Sequence, residues 1–285
     1  MQHDRVWFGY GTLPGLLQSG TLIFKSSTIR GIGMSSSWQR AIIVGASSGI
    51  GEALARKLAQ EGCTVALVAR REQELIRIKE AIAAVGGCST VPRTYVHDVN
   101  NTNAAANLLN EIAHDLGGLD LLIYSAGVMP LDPDDSYNTP ADLSAIAVNV
   151  SGAIAWCNAA AERFYRQQRG TIVGISSVAG DRGRRGFPVY SATKAFMDTY
   201  LEGIRNKVGR YGVKVVTVKP GPVDTPLVEG LDKKKLPMLI TSDQAAEMIL
   251  HGMVRDGVLY VPGKWRLVMW LVRHVPSFVF KRLNV

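Results

Sequence analysis

The sequence predicts an α/β fold, in which a doubly wound parallel sheet forms a single domain. From Arg40 onward, short β-rich runs alternate with longer helical patterns, and this alternation is typical of a parallel sheet covered by helices on both faces. The 285 residues are near the upper limit for one hydrophobic core, and the 47% hydrophobic composition is ample to fill it. No internal repeat or low-complexity block interrupts the pattern.

The elements follow one another in strict alternation. Strands are predicted at 41–45, 64–69, 90–96, 119–124, 170–176, 213–219 and 258–261. Helices are predicted near 50–61, 72–85, 102–116, 142–167, 189–209 and 242–254. We therefore expect one domain over residues 39–263, with its ligand beyond the carboxyl ends of the strands.

The two ends of the chain depart from this pattern. Residues 1–38 have no sustained period and are expected to form a poorly ordered extension; their interrupted apolar run does not fit a secretory signal. Residues 264–285 carry five basic residues and no acidic one, interleaved with Trp, Val, Leu and Phe. This basic amphipathic tail is too short and charged to span a membrane. It either lies on an anionic membrane surface or packs on the domain or on a second subunit.

Charge and cysteine content limit the function classes. The net charge of +8 is compatible with nucleic acid, an anionic membrane or a phosphorylated ligand, but the basic tail and the motifs below favour the last two. No nucleic-acid partner is expected. Cys63, Cys88 and Cys157 are scattered and lack nearby histidines, so neither a disulfide framework nor a metal site is indicated. A cytoplasmic location fits best.

A glycine-rich turn follows the first predicted strand. It contains Gly45, Ser47, Ser48, Gly49, Ile50 and Gly51 and leads directly into a helix. Glycines let the backbone approach a pyrophosphate, and the positive end of the helix attracts phosphates. The turn predicts a Rossmann-type dinucleotide site, although an ordinary glycine-rich turn looks the same.

The residues after the second strand indicate which dinucleotide binds. An NAD site usually carries an acidic residue about 20 residues after the turn, where it reads the ribose 2'-hydroxyl. Arg70 and Arg71 stand there instead. A guanidinium binds a 2'-phosphate through charge-assisted hydrogen bonds, so the sequence predicts NADP(H). The alternative is that both arginines only solvate a loop.

Two further strand ends carry candidate cofactor contacts. Asp98 ends the third strand, where it either contacts the cofactor or caps the following helix. Ser125, Ala126 and Gly127 end the fourth strand and leave room for a ligand close to the backbone.

A Tyr-x-x-x-Lys pair indicates proton transfer. Tyr190 and Lys194 are four residues apart at the head of a predicted helix, so their side chains share one face. A neighbouring ammonium is expected to lower the pKa of the tyrosine toward working pH. Ser177 ends the fifth strand, where a hydroxyl can polarise a carbonyl. Each feature alone has a simpler explanation: the Tyr190 and Lys194 pair can be a chance match, and Ser177 can be an ordinary polar residue at a strand end.

Together, these motifs resemble the short-chain dehydrogenase/reductase family over about residues 39–262. The resemblance implies that Asn149 holds a water in a proton relay, Ser177 polarises the carbonyl, and Tyr190 transfers the proton. It further implies that Lys194 binds the nicotinamide ribose and that Asp98 contacts the adenine. The remaining implied cofactor contacts lie in one segment, at Pro220, Gly221, Val223 and Thr225. Val44 and Ser125 replace the family's usual Thr and Asn, which questions local stability or cofactor affinity rather than reaction class.

The resemblance implies an NADP(H)-dependent oxidoreductase that interconverts a carbonyl and an alcohol, in an assembly such as a dimer or tetramer. A binding-only sensor or scaffold is the alternative of another class. The loop 180–188 and the segment 226–240 are expected to shape the substrate pocket. Arg182, Arg184 and Arg185 are interpreted as a solvated loop, with binding of a phosphate or carboxylate as the alternative. The substrate is expected to be hydrophobic or lipid-linked; the loop and tail also resemble reductases of decaprenylphosphoryl 2-keto-pentose, which makes a polyprenyl-phosphate keto-sugar an alternative.

Overall fold

A parallel sheet forms the centre of the computed structural model, which describes residues 38–85, 90–131 and 136–283. Within these residues its strands are β1 (Arg40–Val44), β2 (Thr64–Ala69), β3 (Arg93–Val96), β4 (Leu121–Tyr124), β5 (Gly170–Ile175), β6 (Val213–Pro220) and β9 (Gly257–Val261). Their order is β3-β2-β1-β4-β5-β6-β9, with parallel pairing throughout. The order reverses direction between β1 and β4, and ligands bind at such a switch point. Two short strands, β7 (Val223–Asp224) and β8 (Ile240–Thr241), pair separately.

Helices cover both faces of the sheet. One face is covered by α1 (Gly49–Gln60), α2 (Glu72–Ala84) and α7 (Ser242–Gly252), and the other by α3 (Ala105–Asp115), α5 (Ala153–Gln167) and α6 (Pro188–Val208). The central strands are buried on both sides, because Ile42 and Ile43 point to opposite faces and both are fully buried. The predicted fold class is therefore confirmed, and the predicted strand limits agree to within three residues.

The predicted helix 142–167 begins earlier and is not uniform. It starts as α4 (Thr139–Ile146), which Asn138 caps by accepting a hydrogen bond from the Ala141 amide at 3.2 Å. A turn of π-helix, Ala147–Gly152, then joins α4 to α5. The whole stretch is apolar and long enough to cross a membrane by composition, but Trp156 and Phe164 are fully buried against the sheet. It is a core helix of this domain.

The two chain ends differ in what the structure describes. Residues 1–37 of the predicted extension lie outside the described residues, as does Cys88. Trp38 is buried, and its Nε1 donates to Thr171 Oγ1 at 3.0 Å. Trp38 therefore packs as part of the domain, although it was expected to be the last residue of the extension.

The tail forms two helices, α8 (Trp265–His274) and α9 (Ser277–Phe280). The inner face of α8 packs on the domain, where Trp265 and Met269 are buried against Val178. The outer face carries three exposed apolar residues, Leu267, Trp270 and Leu271. The expected packing of the tail on the domain therefore accounts for the inner face of α8. It does not account for the exposed apolar residues of the outer face.

Candidate active site

The carboxyl ends of the parallel strands open into a cavity of about 530 Å³. Most of the residues singled out from the sequence line it: Gly45, Ser47, Ser48, Gly49, Ile50, Arg70, Arg71, Ser125, Ala126, Gly127, Ser177, Tyr190, Lys194, Pro220, Gly221, Val223 and Thr225. Gly51, Asp98 and Asn149 do not line it. Residues as far apart in sequence as Gly45 and Thr225 thus meet at the carboxyl edge of the sheet, where this topology places a ligand.

The glycine-rich turn, here called the glycine cradle, leaves no room for a side chain at Gly45 or Gly49. Gly45 has φ +87°, and a Cβ there would collide with the Ala126 backbone. Gly49 has φ +58°, and its Cβ would come within 2.9 Å of Thr225 Cγ2. The turn therefore closes against the end of β4 and against Thr225, which follows β7, and the amino end of α1 faces the cavity. These features fit a dinucleotide whose pyrophosphate rests on the helix amino end.

The two arginines after β2 differ in their contacts. Arg71 reaches across the turn and donates to Ser47 Oγ at 2.9 Å and to Ser48 Oγ at 2.9 Å. Arg70 is more than half exposed, and its guanidinium lies 3.8 Å from Asp98. Asp98 Oδ1 also accepts a hydrogen bond from the Asn100 amide. Both arginines line the cavity beside the turn, so the interpretation of a solvated loop fails for Arg71.

The end of β5 and the start of α6 bring the proposed catalytic side chains together. Ser177 follows β5, and its Oγ accepts a hydrogen bond from the Ala179 amide at 3.1 Å. Tyr190 lies in the first turn of α6 and is buried. Lys194 lies one turn later, and its Nζ donates to the Ile175 carbonyl at 2.9 Å and lies 5.6 Å from the Tyr190 ring centroid. This hydrogen bond ties α6 to the end of β5.

Burial dominates the titration of this group. It raises the pKa of Tyr190 to about 12, although hydrogen bonding with Ser177 and the charge of Arg184 act in the opposite direction. Burial also lowers the pKa of Lys194 to about 8, against the attraction of Asp198. The expected lowering of the Tyr190 pKa by Lys194 is thus wrong for this structure, because desolvation of the phenol outweighs the nearby cations. Tyr190 is a protonated phenol at neutral pH.

Asn149 lies behind the cavity, in the π-helical turn. Its Oδ1 accepts from the Val128 amide at 2.9 Å, and its Nδ2 donates to the Val128 carbonyl at 2.9 Å and to Thr193 Oγ1 at 3.0 Å. The side chain braces the segment after β4 against α6. The π-turn sets this position, and such turns are frequent at functional sites. Its part in a proton relay stays a prediction.

The arginine-rich loop is not simply solvated, which corrects the interpretation from sequence. Arg182 donates to the Val272 and Val275 carbonyls at 2.7 and 2.5 Å and lies 4.0 Å from the Phe280 ring centroid. It therefore fastens the tail to the loop. Arg184 is half-buried and lines the cavity. Of the three arginines, Arg185 is the exposed one.

A buried ion cluster next to the site was not anticipated. Lys219 Nζ lies 2.5 Å from Asp181 Oδ1 and 2.8 Å from Asp198 Oδ2, and Tyr260 donates to Asp181 Oδ2 at 3.0 Å. Ser176 Oγ donates to Asp198 Oδ1 at 2.6 Å. The cluster holds the loop after β5, helix α6 and strand β6 in one arrangement. Its members are far apart in sequence, so no local pattern predicts it.

Apolar residues complete the cavity wall. The loop 180–188 contributes Phe187 and the segment 226–240 contributes Leu227, Val228, Leu231 and Leu236. Both segments line the cavity, as expected, and their part in binding the substrate stays a prediction. His97, which also lines the cavity, is buried; its Nε2 has no hydrogen-bond partner among the described residues, and burial lowers its pKa. Its place beside Asp98 was the only sequence signal for it.

Comparison with known proteins agrees with this arrangement. The family model of the short chain dehydrogenases matches residues 39–236. An uncharacterised oxidoreductase of Staphylococcus epidermidis is 34% identical over 199 residues, covering 69% of this chain and 84% of that protein. A solved short chain dehydrogenase/reductase family protein has a TM-score of 0.70 at 27% identity, covering 80% of this chain and 97% of its own. ElxO, solved with NADP bound, has a TM-score of 0.71 at 23% identity, covering 81% and 99%.

The family model spans strands β1 to β6, the glycine cradle and the Ser177, Tyr190 and Lys194 group, whereas β9 lies beyond the matched residues. The chain belongs to the short-chain dehydrogenase/reductase family of oxidoreductases.

Proposed function

We propose that this protein is an NADP(H)-dependent oxidoreductase that reduces a carbonyl to an alcohol or carries out the reverse reaction. The observation that carries the proposal is the placement of Ser177, Tyr190 and Lys194 around one cavity that also contains the glycine cradle. A binding-only sensor has no need of a buried, protonated phenol beside a hydroxyl and an ammonium. The arrangement therefore favours chemistry over sensing.

The residues have distinct parts in the proposed reaction. NADPH, when bound, supplies the hydride. Ser177 donates a hydrogen bond to the substrate oxygen and stabilises the charge that develops on it. Tyr190 gives that oxygen its proton, and a pKa of about 12 in the free protein keeps the proton on the phenol until it is needed. In the oxidation direction the phenol must lose that proton, so there a bound ligand has to lower the Tyr190 pKa.

Lys194 and Asn149 support this chemistry in different ways. Lys194 Nζ lies near Gly127, where an added Cβ would be 3.5 Å away. It is therefore next to a bare stretch of backbone, where we place the nicotinamide ribose. Asn149 holds the next residue of the same segment, Val128, and is the proposed anchor of a relay water. Asp98 and the segment 220–225 are the proposed contacts for adenine and nicotinamide.

The preference for NADP(H) rests on Arg70 and Arg71. The two residues directly after β2 are basic, and their guanidinium groups flank the turn where a 2'-phosphate would lie. Arg71 is already held by Ser47 and Ser48, so less side-chain freedom is lost when it binds a phosphate. Arg70 is more than half exposed and lies 3.8 Å from Asp98, so only this long, solvent-exposed ion pair has to open when Arg70 turns toward the ligand.

The substrate is proposed to have a hydrophobic or lipid-linked body, because Phe187 and four aliphatic residues of the segment 226–240 line the cavity. A polyprenyl-phosphate keto-sugar is the alternative within this class. The test is NADPH oxidation with a panel of acyl, sterol and sugar ketones. Turnover of a panel member supports the proposal, whereas tight NADPH binding without turnover of any ketone favours a sensor.

The outer face of α8 is proposed to contact an anionic membrane surface from the cytoplasmic side. Leu267, Trp270 and Leu271 are 66%, 58% and 54% exposed, and the basic residues of the tail have no acidic residue among them. Deleting the tail would remove Trp265 and the contacts of Arg182, so substitution is the sharper test. The triple change of Leu267, Trp270 and Leu271 to Gln should abolish sedimentation with phosphatidylserine vesicles. Unchanged sedimentation contradicts membrane contact, and a shift from dimer or tetramer to monomer assigns the face to a subunit interface.

A further inference from the structure

Arg184 is a cation in the cavity for which the described part of the chain provides no partner. It lines the cavity on the loop that leads into α6. No oxygen of the described residues accepts a hydrogen bond from its guanidinium, and no carboxylate there lies within 4 Å of it. A guanidinium has five donors in a rigid fork, and none of the Arg184 nitrogens is among the buried, unpartnered atoms of the described residues, so the donors remain accessible to a ligand.

The surroundings of Arg184 do not compensate its charge. Burial lowers its pKa, with the attraction of Tyr190 and Asp181 acting the other way. Asp181 is the carboxylate whose charge acts on Arg184, but its two oxygens are engaged by Lys219 and Tyr260. By contrast, the neighbouring Arg182 is fully committed to carbonyls of the tail. The loop thus fixes one arginine and leaves the next one facing the cavity.

The place of Arg184 within the cavity excludes the cofactor phosphates as its natural partner. The glycine-rich turn and Arg71 hold the phosphate end of the cavity, whereas Arg184 lies at the Tyr190 end. Its charge reaches the Tyr190 phenol, whose pKa it lowers. Phe187, between them in sequence, packs edge-on against Tyr190 with 6.1 Å between ring centroids. A group bound by Arg184 is therefore a part of the substrate near the reacting carbonyl.

We propose that Arg184 binds an anionic group, a carboxylate or a phosphate, on the substrate and so selects acidic carbonyl compounds. This inference rests on the proposed function, and it adds the substrate class. A guanidinium fork matches carboxylate and phosphate oxygens in pairs, which fixes orientation as well as affinity. The apolar wall then receives the uncharged part of the same molecule.

The test compares acidic ketones with neutral analogues of the same shape: levulinate with methyl levulinate, and dihydroxyacetone phosphate with dihydroxyacetone. Wild type should prefer the acidic member of a pair, and the carboxylate and phosphate arms identify the anion. Arg184→Met should raise KM for that member by about ten- to a hundredfold, the usual loss for a charge-assisted hydrogen bond. For the neutral ketone, KM should stay the same. Its kcat should change only as far as loss of the Arg184 charge alters the pKa of Tyr190.

Arg185→Met is the matched control, because it removes the same charge from the same loop at an exposed residue outside the cavity. It should leave the preference unchanged. Arg184→Met should not lower the melting temperature, since no hydrogen bond or ion pair among the described residues is lost. Equal effects on acidic and neutral ketones, or equal effects of the two variants, would overturn the proposal.

A binding measurement separates this proposal from the proposed function. If no ketone is turned over, the oxidoreductase proposal fails, but calorimetric titration of the NADP⁺-saturated protein, whose cofactor phosphate sites are filled, with levulinate and with inorganic phosphate still decides the role of Arg184. Binding to wild type and Arg185→Met, with loss in Arg184→Met, supports the anion site. The same binding in all three proteins, or none in wild type, contradicts it.

Discussion

Two buried lysines of this protein should respond to the same substitution in opposite ways. Lys194 and Lys219 are each 5% exposed. Lys194 donates to a carbonyl and has no carboxylate within 4 Å among the described residues, whereas Lys219 lies between Asp181 and Asp198. Replacement by Met keeps the length of the side chain and removes the charge. The two variants therefore compare a buried ammonium that destabilises the folded state, that of Lys194, with one that stabilises it through ion pairs, that of Lys219.

For Lys194 the magnitude follows from the pKa. Burial lowers it from 10.5 to about 8, and at about 1.4 kcal/mol per pH unit this charge destabilises the folded state by about 3 kcal/mol at neutral pH. The lost hydrogen bond to Ile175 takes back about 1 kcal/mol. Lys194→Met should therefore gain about 2 kcal/mol, or about 4–8 °C in melting temperature for a domain of this size, while losing turnover.

The gain should depend on pH with a defined sign. Between about pH 8 and 10.5 the unfolded chain holds the Lys194 proton and the folded chain does not, so wild-type stability rises with pH in this window. The advantage of Lys194→Met is therefore full below about pH 8 and reaches zero before pH 10.5, above which only the cost of the lost hydrogen bond to Ile175 remains.

Lys219→Met is the control. Burial lowers the Lys219 pKa, but Asp198 and Asp181 raise it more, so the net pKa is raised. Removing the cation leaves two buried carboxylates facing each other and should cost about 3–5 kcal/mol. Thermal melts of wild type and both variants, without cofactor and between pH 6 and 10, measure both effects. A loss of stability in Lys194→Met comparable to that in Lys219→Met would refute the reasoning.

Three further outcomes are expected in kinetic assays. Arg70→Asp should lower kcat/KM with NADPH about ten- to a hundredfold and favour NADH; equal use of both cofactors by wild type would contradict this. Ser177→Ala should lower kcat about a hundredfold or more, because one donor to the developing oxyanion is lost; a loss below about tenfold would remove Ser177 from that role. The pH profile of kcat/KM for ketone reduction should fall above about pH 8, where Lys194 loses its proton; a profile flat to pH 10 would show that this charge is not required.

Local pattern predicted the sheet and most of the cavity wall. A strand in a doubly wound sheet is a short apolar run between turns, and ligand contacts follow the strand ends, so residues such as Gly45, Ser125 and Ser177 can be placed without knowing the rest of the fold. The Tyr190 and Lys194 pair is equally local, since four residues on a helix share a face.

Long-range packing decided what the sequence left open. Arg182 and Arg184 are two residues apart in one polar loop. Arg182 nevertheless donates hydrogen bonds to carbonyls about 90 residues along the chain, whereas Arg184 faces the cavity. The high pKa of Tyr190 has the same kind of origin, because it reflects how completely α6 buries the phenol. Neither outcome depends on residue type or spacing alone.

The central claim is that Tyr190 transfers the proton, and Tyr190→Phe tests it most directly, because the substitution removes one hydroxyl and little else. With a ketone that wild type reduces, the variant should bind NADPH with nearly unchanged affinity by fluorescence titration. Its kcat should fall by at least about a hundredfold, the usual contribution of general acid catalysis. Retention of more than about a tenth of the wild-type kcat, with NADPH binding intact, would contradict the account.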